Sequence, residues 1–238
     1  MNDTLKLQLH PSFAYQNYFV GRDKIPLLVI DNFVEEPQSL IRFCVESNTF
    51  NNADSFYPGL RMPAPTLYIQ AIHYYLGGLI EQTYGLKKNE WLGGRSLYSM
   101  VVTPPADMNE QQSVPHVDSF KRGDLACVHF LCGPSHGGTS LYRHKKTGFE
   151  IVDKDRIEHY NQVAISEGVL DAHPKSYMNG SDDFYEQIAC VDAMFNRLVI
   201  YPANVLHSGN IAPTFTFDPN PTTGRLTLNS FIFGKASA

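Results

Sequence analysis

The chain reads as an α+β protein, mainly β, in which two amphipathic helices precede a series of short strands. Three observations predict this. Apolar residues recur at helical spacing over roughly 37–45 and again over 65–84. From Gly94 onward the pattern changes to β-branched and aromatic runs bounded by Gly, Pro, Asn or Asp. No repeat, low-complexity tract or linker-like stretch divides the 238 residues, so a single domain over 1–238 is expected. Helices first and strands after favour helices packed on a β-sandwich or barrel. Many short strands suit a double-stranded β-helix, the jelly roll of cupin-like folds, with the N-terminal helices packed on the sheet.

Leu27–Ile30 is the first β-rich run. Asp31-Asn32 and Glu35-Glu36-Pro37 supply turn and helix-start chemistry, and Leu40, Ile41, Cys44 and Val45 form the first apolar stripe. Pro37 is tolerated there because the first helical turn has no intrahelical N–H bond to lose. The second helix carries Leu67, Ala71, Tyr74, Tyr75, Leu79 and Ile80, with Gly85 as its stop. Between the helices, Tyr57-Pro58-Gly59-Leu60-Arg61 reads as a turn-forming loop. Strands are then expected over 96–102, 124–131, 139–142, 187–193, 197–201 and 226–233. Phe195-Asn196 has the look of a tight hairpin turn between two of them.

Composition narrows the function classes. A hydrophobic fraction of 43% and an aromatic fraction of 12% support a sizeable core and argue against disorder. The net charge is −5, and the 19 Lys and Arg residues form no long basic run, so no nucleic-acid partner is expected. No segment approaches 18 consecutive apolar residues, and no membrane association is expected. The start lacks the features of a signal peptide, and Cys44, Cys127, Cys132 and Cys190 make no C-x-x-C pair. A cytoplasmic protein with four reduced cysteines is the reading. Oligomeric state is not legible.

His116-Val117-Asp118, together with His207, is the most informative constellation. Two imidazoles and one carboxylate make the ligand set of a non-haem Fe(II) site, which binds one face of the metal and leaves the others open. Read as β-strand, H-x-D puts both side chains on one side. H-x-D alone is a weak signal. Its context strengthens it: Pro115 precedes it, the polar stretch 107–113 leads in, and His207 closes an apolar run beginning at Leu198.

Four pieces in order resemble the Fe(II)/2-oxoglutarate-dependent dioxygenase superfamily, on its prolyl-4-hydroxylase-like side. They are Leu28–Val34 with the helix that follows; Pro115-His116-Val117-Asp118-Ser119; Gly137-Gly138-Thr139-Ser140-Leu141-Tyr142; and Tyr201-Pro202 through His207 to Arg225-Leu226-Thr227. The resemblance covers roughly residues 25–233, and only 145–190 has no counterpart. It implies that His116, Asp118 and His207 ligate Fe(II) and are the catalytic set, with 2-oxoglutarate as cosubstrate and O2 as oxidant. It further implies that Arg225 grips the distal carboxylate of 2-oxoglutarate through its bidentate fork, assisted by Thr227 two positions on. That branch generally uses lysine after a shorter gap, so 214–224 is an insertion. Tyr98 is expected at the cosubstrate, a buried core aromatic being the other reading. Asn229 is a further pocket candidate.

The implied reaction is hydroxylation of an amino-acid-like metabolite or a peptidyl side chain, so the partner is a small-molecule or peptidyl substrate. Asp118 favours hydroxylation, since relatives that halogenate replace this carboxylate with a small residue. Two alternatives remain: a cupin-like metalloenzyme that does not use 2-oxoglutarate, and a non-catalytic metal-binding member of the fold. Arg61 and Arg143 could bind an acidic substrate group, although solvated surface arginines are commoner. His73, His129, His136, His144, His159 and His173 lack the motif context. Segments 108–113 and 145–186 are expected to form lids over the site.

Overall fold

The computed structural model describes residue 5, residues 7–52 and residues 56–235. Its elements are β1 (Ala14–Val20), β2 (Ile25–Asp31), α1 (Pro37–Ser47), β3 (Asn51–Asn52), β4 (Gly59–Pro63), α2 (Thr66–Tyr84), β5 (Trp91–Val101), β6 (Leu125–Phe130), β7 (Gly138–His144), α3 (Ile157–Ser166), α4 (Val169–Ala172), β8 (Tyr185–Asp192), β9 (Arg197–Pro202), β10 (His207–Asn210) and β11 (Leu226–Gly234). The strands form two antiparallel sheets. The major sheet has the order β1-β2-β9-β6-β11-β5-β4-β3, and the minor sheet β10-β7-β8. This is the expected jelly-roll arrangement with helices on the sheet.

Side-chain alternation sorts the major sheet into two faces. Leu28, Ile30, Cys127, Leu198, Ile200, Leu226, Leu228 and Ile232 point outward and form a core with α1 and α2. Leu27, Val29, Ala126, Phe130, Val199 and Tyr201 point inward, against Leu141 and Val191 of the minor sheet. Two tyrosines fasten the helices to the outer face. The Tyr84 hydroxyl donates to the Ile200 carbonyl at 2.7 Å, and the Tyr98 hydroxyl to the Leu40 carbonyl at 2.9 Å. α1 starts with Pro37 in its first turn, and α2 ends at Gly85 with φ 72°, both as expected.

Gly137 and Gly138 open β7 because neither place has room for a side chain. A Cβ at Gly137, which has φ 85°, would meet the Asn210 carbonyl, and one at Gly138 would meet the Val191 carbonyl. The minor-sheet strands can therefore approach closely beside the site.

Three features differ from the sequence reading. Phe195-Asn196 is not a hairpin turn: β8 pairs with β7 and β9 pairs with β2 and β6, so the turn crosses between sheets. The stretch expected to be only a loop around Gly59 continues into β4, which pairs with β5. The segment 145–186 contains α3 and α4, and Val169 with the partly buried Ile157, Tyr160 and Ala164 packs them against Tyr142, Tyr185 and Leu206. Among the described residues no helix is long and apolar enough to cross a membrane. The four cysteines are free, with Cys44, Cys127 and Cys132 buried.

Asn196 explains how the crossing is held. It adopts φ 65°, which asparagine tolerates better than most residues. Its side chain accepts from the Val34 N–H at 3.1 Å, donates to the Val34 carbonyl at 2.8 Å, and meets His129 Nε2 at 3.1 Å. His129 Nδ1 in turn meets the Tyr68 hydroxyl at 2.9 Å, linking the crossing to α2. Burial holds this imidazole down to about 4.

Asn196→Ala strands buried polar partners and puts a residue that tolerates the left-handed region less well than asparagine at φ 65°, so a loss of about 2–4 kcal/mol is expected. For a chain of this size that corresponds to a melting-temperature drop on the order of 5–15 °C in scanning calorimetry. Asn196→Gly should lose less, because the backbone is unstrained. Melting of the alanine variant at the wild-type temperature would exclude this clamp as a stabilising feature.

Candidate metal centre

β10 begins at His207, and its first backbone pairing is with His116. The His116 N–H donates to the His207 carbonyl and the His207 N–H to the His116 carbonyl, each at 2.9 Å. The H-x-D segment is therefore one bridge and not a strand, which corrects the period-two argument. Asp118 is brought round by a turn: its N–H and that of Ser119 both donate to the Ala203 carbonyl, at 2.8 and 3.1 Å. Ser119 is fixed by its hydroxyl donating to Asp124 at 2.7 Å.

The result is a compact donor set. Asp118 Oδ2 lies 3.2 Å from His207 Nε2, and Asp118 Oδ1 lies 3.8 Å from His116 Nε2. One ligand atom from each residue falls within 4.8 Å of the others, so all three could hold one metal ion. Ligands about 2.1 Å from a metal and mutually at right angles sit about 3 Å apart, so a facial site needs only small side-chain adjustments. His207 Nδ1 donates to the Val205 carbonyl at 2.9 Å, which fixes the tautomer and turns Nε2 to the site.

The electrostatics fit this donor set. Burial disfavours a charged Asp118, but His207 and then His116 outweigh it and hold the carboxyl below its usual range. Burial likewise opposes protonation of His207, yet the Asp118 carboxylate raises it. His116 opens onto the cavity. Its enclosure and the neighbouring His207 lower it to about 4, keeping the imidazole neutral and ready to ligate.

The triad lies in a cavity of about 850 Å3 between the sheets. Arg225, just before β11, also lines it and is buried. Its Nε donates to the His136 carbonyl at 3.0 Å and Nη2 to the Gly138 carbonyl at 2.7 Å. Among the described residues no carboxylate pairs with it. Nη2 would lie 3.9 Å from a Cβ at Gly209, two residues beyond His207 on the same strand. Two strand residues span about 7 Å, the scale of a five-carbon dicarboxylate.

The other expected cosubstrate residues divide. Thr227 follows Arg225 on the inner face and is fully buried; its hydroxyl donates to the Ser99 carbonyl at 3.3 Å. Tyr98 is not at the cavity. It pairs with Leu228 across β5 and β11 and so points to the outer face, where Leu40 takes its hydroxyl. Asn229 does line the cavity, with its buried Oδ1 lacking a partner.

Among the tyrosines that line the cavity is Tyr57, which the sequence reading had placed in a plain turn. Its ring lies under the Arg61 guanidinium at 4.3 Å, and its buried hydroxyl, beside Thr227, has no well-formed hydrogen bond. Burial raises this hydroxyl, while Arg225 and Arg61 pull the other way. The signal available was only the alternation after Gly59, which the Tyr-Pro-Gly turn chemistry masked. Both expected lid segments contribute walls: Gln111 and Gln112 from one, and Ile157, Tyr160 and Ala164 from the other.

Comparison with known proteins gives likeness of fold and one family match. A prolyl-4-hydroxylase from Pseudomonas putida is 12% identical, over 94% of this chain and 93% of that one, with a TM-score of 0.42. HygX from Streptomyces hygroscopicus, solved with nickel and 2-oxoglutarate, is 10% identical over 89% and 84%, with a TM-score of 0.46. The non-heme alpha-ketoglutarate-dependent carbocyclase SnoK from nogalamycin biosynthesis is 11% identical over 89% and 81%, with a TM-score of 0.49. No curated protein matches the chain. A family model matches residues 11–232, and the chain belongs to that family, described as a family of unknown function (DUF6445).

Proposed function

We propose that the protein is an Fe(II)- and 2-oxoglutarate-dependent oxygenase that hydroxylates an amino-acid-like metabolite or a peptidyl side chain. One observation carries this reading: a two-histidine, one-carboxylate donor set and a buried guanidinium without an acidic partner face the same cavity. Such a guanidinium is a receptor for a carboxylate, and its spacing from His207 suits the distal end of 2-oxoglutarate.

His116, Asp118 and His207 would hold the metal through Nε2, a carboxylate oxygen and Nε2. The Val205 carbonyl keeps His207 in the ligating tautomer. Arg225 would anchor the distal carboxylate, with the free hydroxyl of Tyr57 as a second donor. Bound there, Fe(II) supplies the oxidation in which substrate C–H, O2 and 2-oxoglutarate become substrate C–OH, succinate and CO2. Asp118 occupies the position a halide would need, and its charge disfavours a second anion beside it. Val114, Val117 and Leu206 supply apolar wall beside the triad.

Iron(II) or its substitute Mn(II) should bind at one site, and His207→Ala should abolish tight binding in anaerobic calorimetry. Full-strength binding by that variant would remove His207 from the site. In the metal-loaded protein, Arg225→Ala should raise the 2-oxoglutarate dissociation constant roughly 30-fold or more, since losing a buried charge-assisted partner costs about 2–5 kcal/mol. Arg225→Lys should recover only part of this. Unchanged affinity in Arg225→Ala would leave a metalloenzyme that does not use 2-oxoglutarate. Iron-loaded protein given O2 should form succinate faster than the His116→Ala control, and equal rates would count against an oxygenase.

A further inference from the structure

The arginines of this chain divide into two kinds. Arg122 is held by Asp153 at 2.7 Å, Arg143 by Glu150 and Glu186 at 2.5 Å each, Arg156 by Asp23 at 3.3 Å, and Arg197 by Asp31 at 2.6 Å. Arg143, one of the two sequence candidates for an acidic substrate group, is thereby consumed. Arg61 is not. It lies on β4, lines the same cavity as the triad, and has no carboxylate within ion-pair distance among the described residues. Its Nε is buried without a hydrogen-bond partner, and its guanidinium rests on the Tyr57 ring.

A guanidinium withdrawn from water and left without an acid is unfavourable unless something anionic joins it. Asp118 is the one acid that Arg61 feels across the cavity, and that carboxylate is already engaged by His207 and belongs to the metal donor set. Arg225 is the cation proposed above for the distal carboxylate of the cosubstrate. Arg61 is a second cation in the same chamber with no carboxylate of its own among the described residues.

The rest of the chamber is shaped for apolar matter. Phe56, Phe120, Ile165 and Leu170 line it while exposing 68%, 42%, 78% and 41% of their surface. Large apolar side chains exposed together around a cavity mark a binding surface. The volume of about 850 Å3 far exceeds what 2-oxoglutarate fills.

We propose that the primary substrate is a small amphipathic anion, an apolar body bearing one carboxylate-like group that pairs with Arg61. This rests on the oxygenase reading above and narrows its substrate class to a small molecule, setting aside the peptidyl side chain. A neutral apolar molecule would leave the half-buried Arg61 and its buried Nε unpaired, so the site would discriminate against it.

The test uses the full chain loaded with Zn(II) and 2-oxoglutarate, titrated with 4-phenylbutanoate and with its neutral amide, 4-phenylbutanamide. Wild type should bind the carboxylate at least about tenfold more tightly than the amide. Arg61→Gln should erase that preference while its 2-oxoglutarate affinity stays within about twofold of wild type, and Arg61→Lys should keep part of the preference. Equal binding of acid and amide by wild type, or no binding of either, would overturn the proposal, and neither result requires a variant that folds. A loss of 2-oxoglutarate affinity in Arg61→Gln with the acid preference intact would also overturn it, by assigning Arg61 to the cosubstrate. Failure of the oxygenase reading is seen separately, as 2-oxoglutarate affinity that does not depend on Arg225.

Discussion

Two backbone hydrogen bonds, exchanged between His116 and His207 at 2.9 Å each, join the two halves of the donor set. Closing so long a stretch of chain costs entropy that two hydrogen bonds alone do not offset. The closure is held by what flanks it. On one side β10 is zipped to β7, with His207 opposite Leu141. On the other the Asp118 turn hangs from the Ala203 carbonyl at the end of β9. β9 in turn lies between β2 and β6 in the major sheet. The ligand geometry is thus a consequence of how the two sheets meet, and the tight packing at Gly137 and Gly138 belongs to the same constraint.

Charge follows the same logic. Elsewhere in the molecule buried or half-buried ionic groups are matched, as in the Arg143–Glu150 pair, where the carboxylate also accepts from the Arg22 and Asp23 N–H groups at 2.9 Å. In the cavity the matching stops. Asp118 is surrounded by imidazoles that pull it toward ionisation, Arg225 is satisfied only by carbonyls, and Arg61 has neither. Unmatched charges and orphan polar atoms such as Asn229 Oδ1 mark where the chain is completed by something other than itself.

Much of this was legible in the sequence, and for identifiable reasons. The start of α1 at Pro37 and the stop of α2 at Gly85 fall where expected, although Leu67 and Tyr74, expected on the apolar face of α2, are exposed. The central strands announce themselves because one face or both are buried. β1 was not read, since its seven residues have no buried face and hence no apolar alternation. α3 was missed because its apolar positions are only partly buried and the helix carries none that is fully so. The three residues of the donor set were readable because their chemistry is local to two short motifs. Tyr98 was misplaced because which face of a strand points inward depends on register across β4, β5 and β11, and that is fixed by pairing partners far away in sequence, while Tyr57 lies in the turn before β4, where no strand period signals its direction. Arg61 and Arg143 could not be told apart for the same reason: pairing with a carboxylate is a tertiary property.

The central claim is that one cavity holds a metal on His116, Asp118 and His207 and a dicarboxylate between that metal and Arg225. A crystal structure of the protein soaked with Mn(II) and N-oxalylglycine, an inert analogue of 2-oxoglutarate, tests it most directly. The account predicts metal density bounded by those three side chains and the analogue's distal carboxylate paired with the Arg225 guanidinium. Metal bound elsewhere, or an analogue whose distal carboxylate lies away from Arg225, would contradict it.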